Sequence, residues 1–138
     1  RSLVGSEMCI RDRYNTPPTY GIYVLGLVLE WVEQMGGVKA MQERAEKRSS
    51  MLYDYLDSQD FYKTVAAKDS RSRMNETFRT GNDELDAKFA KESMAAGISN
   101  LKGHRSVGGM RASIYNAMPI EGVEKLIDFM KKFAEENK

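Results

Sequence analysis

Cysteine, histidine and tryptophan each occur once in this chain of 138 residues, and proline only three times. The lone cysteine, Cys9, excludes an internal disulfide and points to a reducing compartment, so a cytoplasmic location is expected. One histidine, His104, without paired cysteines leaves no ligand set for a transition metal, because structural zinc takes about four N or S ligands. An excess of charge of one sign is also missing. Lys plus Arg number 21 against 20 Asp plus Glu, a net charge of +1, and the signs are interspersed. That balance excludes a general attraction to nucleic acid or an anionic bilayer, so any anion site must be local. Long apolar runs are absent as well. The longest, Ile22 to Leu29, contains Gly26 and is followed by Glu30 and Glu33, far short of the roughly 20 residues a bilayer span needs. Neither nucleic acid nor membrane is an expected partner.

What remains is 41% hydrophobic and 30% charged, a composition suited to one soluble domain with a modest core. Residues 1–13, RSLVGSEMCIRDR, hold no sustained apolar period and no secretory core. They resemble translated adapter sequence and are set aside as foreign, which would remove Cys9 from the natural protein.

From Tyr14 the segments are short and well punctuated. Asn15-Thr16-Pro17-Pro18-Thr19 reads as a helix start, with Thr16 as its cap and proline at the first helical position. Tyr20 to Met35 is apolar on most sides and stops at Gly36-Gly37, which predicts a buried helix with more than one neighbour. A second helix over Val38 to Ser58 places Val38, Met41, Ala45, Leu52, Tyr55 and Leu56 on one stripe. Glu43, Glu46, Lys47 and Arg48 are expected in solvent. Phe61 to Ala66 and Met74 to Arg79 read as strands, the second with Glu76 on its apolar face. Asn82 caps a third helix that carries Leu85, Phe89 and Met94 and ends at Gly97. Ile98 to Leu101 and Met110 to Tyr115 read as further strands. A last helix over Pro119 to Ala134 turns Ile120, Val123, Leu126, Ile127, Met130 and Phe133 inward, with Glu121–Lys125 and Asp128–Lys132 pairs outside. Met94, Met110, Met118 and Met130 are expected to fill the core. The order implies an α/β or α+β layer, helices packed on a small, partly antiparallel sheet.

The densest chemistry lies in Lys102-Gly103-His104-Arg105-Ser106-Val107-Gly108-Gly109-Met110-Arg111. Three glycines allow a ligand close to the backbone, while Lys102, His104, Arg105 and Arg111 supply cations and hydrogen-bond donors suited to carboxylate or phosphate. Arg111 stands out because a strand would pin its backbone while its guanidinium fork grips a carboxylate through two parallel bonds. The bland alternative is a loop of solvated arginines. A second candidate is the Asn15-Thr16 helix start, where a positive dipole end and two polar side chains could cradle phosphate, although most such caps serve only their own helix.

Taken in order, Tyr14-Asn15-Thr16-Pro17-Pro18-Thr19, the Ile22 to Leu29 helix, Arg71-Ser72-Arg73-Met74-Asn75, Leu101-Lys102-Gly103-His104-Arg105 and Gly108-Gly109-Met110-Arg111-Ala112-Ser113-Ile114-Tyr115-Asn116-Ala117-Met118-Pro119 resemble the phosphoserine aminotransferase family from Tyr14 onward. The resemblance implies the C-terminal small domain of a fold-type I enzyme dependent on pyridoxal 5'-phosphate. Residues 14–35 would close the cofactor domain with an interdomain helix, and residues 36–138 would form the small domain. It implies a homodimer that exchanges an amino group between glutamate and 3-phosphohydroxypyruvate. Asn15 and Thr16 would reach the cofactor phosphate across the dimer, Arg111 would hold the substrate α-carboxylate, and His104 and Arg105 would hold the distal anion from the neighbouring subunit. No catalytic residue and no Schiff-base lysine maps here, so this chain alone is expected to be inactive. Glu76 and Thr77 depart from the family pattern, which usually has an apolar residue and proline there. The rival expectation is a free-standing anion-binding or regulatory module that kept the clamps without catalysis.

Overall fold

A computed structural model of the chain describes residues 16–137; residues 1–13 and Asn15 lie outside them. The chain divides into two units, residues 1–38 and 39–138.

In the first unit, helix α1 spans Thr19–Gln34. Its N-terminal boundary residue is Pro18, with no side-chain cap, so Thr16 does not cap it. The two prolines displace the start: the Pro17 carbonyl accepts from Thr19 N–H at 2.8 Å and the Pro18 carbonyl from Ile22 N–H at 3.0 Å. The helix closes at Gly36 and Gly37, whose φ values are 100° and 74°. No residue of α1 is buried, and Tyr20 is 81% exposed. The burial that its apolar sequence calls for is therefore not met among the described residues.

Helix α2, Gly37–Asp57, buries Met41, Ala45, Leu52 and Leu56 as the periodicity requires, but Val38 is exposed. It also buries Arg48, 4% exposed, which was expected in solvent. Arg48 lies three residues beyond Ala45 and four before Leu52, so helical geometry places it on the buried stripe whatever its charge. Its Nη1 donates to the carbonyls of Asn116, at 3.0 Å, and Met118.

Strands β1 (Lys63–Thr64), β2 (Asn75–Arg79) and β3 (Met110–Ser113) form a sheet in that order. Both pairings are antiparallel, with Glu76 opposite Ala112 and Thr77 opposite Arg111. The expected strand over Phe61 to Ala66 shrinks to β1, flanked by a Gln59 turn and a 3-10 turn over Lys68–Ser70. Ile98 to Leu101 is not a strand. Ile98 N–H bonds back to the Ser93 carbonyl at 2.8 Å and Asn100 adopts φ 63°, so these residues form the exit from a helix, and only Lys102 bridges to Met110.

Helix α3, Asp83–Ala95, starts where Asn82 Oδ1 accepts from Glu84 N–H at 2.9 Å. Asn82→Ala is expected to cost about 1 kcal/mol of stability, read as a lower urea midpoint at unchanged slope; an unmoved midpoint would deny the cap any weight. Phe89 is buried but Met94 is 64% exposed, because the i+4 position from Phe89 belongs to Ser93, which is buried instead. Helix α4, Ile120–Glu136, buries the expected Val123, Leu126, Ile127, Met130 and Phe133. Its ion pairs shift from the expected partners: Asp128 pairs with Lys131 and Lys132 with Glu136. Met110 and Met130 are core residues, whereas Met118, like Met94, is exposed.

The core centres on Tyr62, whose ring meets Phe61, Phe78 and Phe89 edge to face at 4.9, 5.8 and 5.8 Å and whose hydroxyl donates to the Met130 carbonyl at 2.9 Å. Such edge-to-face pairs add about 1 kcal/mol each beyond area burial. This cluster holds the inner face of the sheet against α3 and α4 and fixes β3, the strand that follows the glycine-rich loop.

Candidate functional site

Alternation along β3 puts Met110 and Ala112 into the core and leaves Arg111 and Ser113 half-buried on the opposite face. Arg111 N–H donates to the Leu101 carbonyl at 2.7 Å and Gly103 N–H to the Gly109 carbonyl at 2.8 Å. The segment from Leu101 to Arg111 is thus a closed loop on a short two-stranded stem. Inside it, the N–H groups of Val107 and Gly108 both donate to the His104 carbonyl, at 2.9 and 2.8 Å. A side chain at Gly103 would strike the Gly108 carbonyl. At Gly109, with φ 64°, a Cβ would lie 2.7 Å from both Arg79 Cγ and the Phe78 carbonyl oxygen. These glycines are what allow the loop to close and lie flat on β2.

The loop lines a cleft of about 590 Å³ together with Arg79, Asp83 and Asp86. Lys102, His104 and Arg105 are all exposed there. His104 Nδ1 is 2.6 Å from the Ser106 hydroxyl and accepts from Ser106 N–H at 3.3 Å. With Ser106 on the Nδ1 side of the ring, Nε2 is the nitrogen left to donate to an anion when it carries a proton.

Arg111 does not share this cleft. It lines a second one, of about 300 Å³, with Ser99, Asn100, Ser113 and Met118. Its Nε is buried without a hydrogen-bond partner, a donor suited to an incoming acceptor. Behind it, Asn75 Oδ1 accepts from the hydroxyls of Ser113, at 3.1 Å, and Tyr115, at 3.4 Å. The structure therefore brings His104 and Arg105 together at one cleft and sets Arg111 at another, with the end of the loop between them.

Thr16 is exposed. Pro17 and Pro18 have no N–H, so the backbone donors at this helix start are those of its first turn, Thr19, whose N–H turns back to the Pro17 carbonyl, then Tyr20 and Gly21. Asn15 lies outside the described residues. Arg71, from the Arg71-Ser72-Arg73-Met74-Asn75 motif, serves the scaffold: both its Nη atoms hold Asp57, at 2.9 and 2.6 Å, and it lies 4.5 Å over the Tyr53 ring. Hydrogen bonding from Arg71 holds the Asp57 carboxyl down, at about 2.

Sequence reasoning missed Arg79, Asp83 and Asp86 as part of the cleft. Alternation from Glu76 and Phe78 does place Arg79 on the outer face, but the approach of β2 to the loop is a tertiary fact. The described residues contain no group of three or more His, Cys, Asp or Glu placed to hold a metal ion. They contain no helix long and apolar enough to cross a membrane.

The family model for class-V aminotransferases matches residues 9–126. This chain belongs to the class-V aminotransferase family. It is 57% identical over 125 residues to phosphoserine aminotransferase of Streptococcus suis, covering 90% of this chain and 34% of that protein. The structure of phosphoserine aminotransferase from Bacillus circulans subsp. alkalophilus superposes with a TM-score of 0.90 at 45% identity, over 98% of this chain and 38% of that one. The pyridoxal-phosphate-bound phosphoserine aminotransferase of Trichomonas vaginalis gives 0.82 at 36% identity, over 91% and 36%. This aminotransferase chain thus spans about a third of the length of the relatives it matches. Its helices and small antiparallel sheet have the fold of the corresponding part of those enzymes.

Proposed function

We propose that this chain is the C-terminal portion of a phosphoserine aminotransferase, which moves an amino group between glutamate and 3-phosphohydroxypyruvate. The observation that carries the proposal is the closed loop and its strand, which present two cationic clamps in separate clefts on one rigid hairpin. Both substrates are anionic at two ends, and a reaction that must hold a carbon between them needs two clamps. Arg111 takes the α-carboxylate, and its half-buried fork is held by β3. His104 Nε2 and Arg105 take the distal phosphate or carboxylate, and Lys102 adds charge beside them. Residues 14–35 form the end of the cofactor domain and residues 36–138 the small domain.

Pyridoxal phosphate would supply the electron sink that makes the α-carbon reactive. The donors present fit its phosphate ester: the Thr16 hydroxyl is exposed ahead of a helix start, and Asn15 precedes it in sequence. These two residues reach the cofactor from the partner subunit of a homodimer, and most cofactor contacts belong to the part of the protein upstream of Tyr14. The role of this chain is to bind and orient, so it is inactive without that part. The protein works in the cytoplasm.

His104→Ala in the full-length protein is expected to raise KM for the phosphorylated substrate about tenfold or more, with much less effect on an unphosphorylated amino acceptor. Steady-state kinetics on the two substrates checks this, and equal losses on both would remove His104 from the distal-anion clamp.

A further inference from the structure

The cleft that holds Lys102, His104 and Arg105 also contains Asp83 and Asp86. Two carboxylates in an anion site oppose its ligand unless something neutralises them. Arg79 is placed to offset one of the two charges. Its Nη2 donates to Asp83 Oδ1 at 2.7 Å, and its Nε faces Asp86 Oδ2 at 3.6 Å. Asp86 is itself fixed, because its buried Oδ1 accepts from Thr80 N–H at 2.8 Å and from the Thr80 hydroxyl at 2.7 Å. The same arginine is the floor of the loop. A Cβ on Gly109 would meet its Cγ at 2.7 Å, and one on Gly108 would lie 3.7 Å from its Nη2. Its backbone is held in β2 opposite Lys63.

The geometry points to Arg79 as a positioning residue for the distal anion: it seats the Gly108-Gly109 turn and offsets part of the charge of Asp83 and Asp86, so that His104 and Arg105 meet the ligand against less opposition. The inference rests on reading this cleft as the distal-anion site. Arg79 need not touch the ligand. Its effect is on where the loop sits and on the field that the ligand enters.

In the full-length protein, Arg79→Met is expected to weaken binding of inorganic phosphate about tenfold, read by isothermal calorimetry at fixed ionic strength. KM for the phosphorylated substrate should rise by a similar factor while kcat for an unphosphorylated amino acceptor holds. Arg79→Lys keeps the charge and is expected to stay within about threefold of the unsubstituted protein. Adding Asp83→Asn to Arg79→Met is expected to recover part of the lost affinity, which a loss of packing alone would not allow. Asp83→Asn by itself, at a side chain that is 89% exposed and safe for folding, is expected to tighten phosphate binding. Unchanged or weaker binding in that variant, or unchanged affinity in Arg79→Met while Arg105→Ala weakens it, overturns the role of Arg79. If Arg105→Ala also leaves phosphate binding untouched, the assignment of the cleft fails, and the role of Arg79 with it.

Discussion

Lysine in place of Arg111 is expected to lower kcat/KM of the full-length protein about a hundredfold, even though the charge is kept. The residue sits on β3 opposite Thr77, its N–H tied to the Leu101 carbonyl at 2.7 Å, so its backbone cannot follow a shorter or differently directed side chain. A guanidinium offers a carboxylate two parallel N–H bonds from a rigid plane, whereas an ammonium offers a mobile point charge. Its Nε is already desolvated and without a partner, so that donor is in place before the ligand arrives. The loss should appear in kcat as well as in KM, because a loosely held α-carboxylate lets the reacting carbon wander. Steady-state kinetics with glutamate as donor measures it. Near-normal turnover in Arg111→Lys would take this residue out of the site.

Glu76→Gln should raise stability at pH 8 by about 3 kcal/mol while changing little at pH 4. Glu76 is fully buried on the inner face of β2, and neither carboxylate oxygen has a hydrogen-bond partner. Burial pushes its carboxyl up to about 7 from an ordinary 4.5, against smaller opposing contributions from its own backbone N–H and the Arg48 charge. In the unfolded chain the group ionises near its ordinary value. As pH rises from 4.5 the unfolded state therefore loses its proton while the folded state keeps one, and stability falls until about pH 7, where the cost levels off. Glutamine has the same shape and cannot ionise, so it removes that slope. Urea unfolding of both forms at pH 4, 6 and 8 checks the expectation, and a stability difference that does not grow between pH 4 and 8 would refute it. Arg48 is the nearby basic group. Burial lowers its pKa first, and the neighbouring Arg44 lowers it further, but a guanidinium is basic enough to stay a cation across this window.

Where local pattern and tertiary packing agree, the sequence reads directly: α4 and the alternation of Met110, Ala112 and Ile114 are as expected. Glu76 was placed correctly on the apolar face by alternation alone. Arg48 shows the limit of that logic, since a charged residue on an apolar stripe reads as solvated until a carbonyl pair from a distant segment is seen to receive it. Ile98 to Leu101 has strand-like residues, but the left-handed turn at Asn100 and the bond from Ile98 to Ser93 commit it to ending a helix. The loop and its exposed cations were legible through the glycines and basic residues of the sequence. That Arg111 faces a different cleft from His104 and Arg105 was not, because it depends on which side of β3 each adjoining element packs. Arg79 was invisible for the same reason, joined to the loop only across the sheet.

The single tryptophan, Trp31, lies in α1 of the first unit, whereas the aromatic core of the second unit is built of tyrosine and phenylalanine. Indole fluorescence therefore follows the environment of α1, because no other residue of the chain carries an indole. Whatever comes to cover that helix in an assembled enzyme would announce itself as a blue shift in emission, with no label attached and the core left unperturbed.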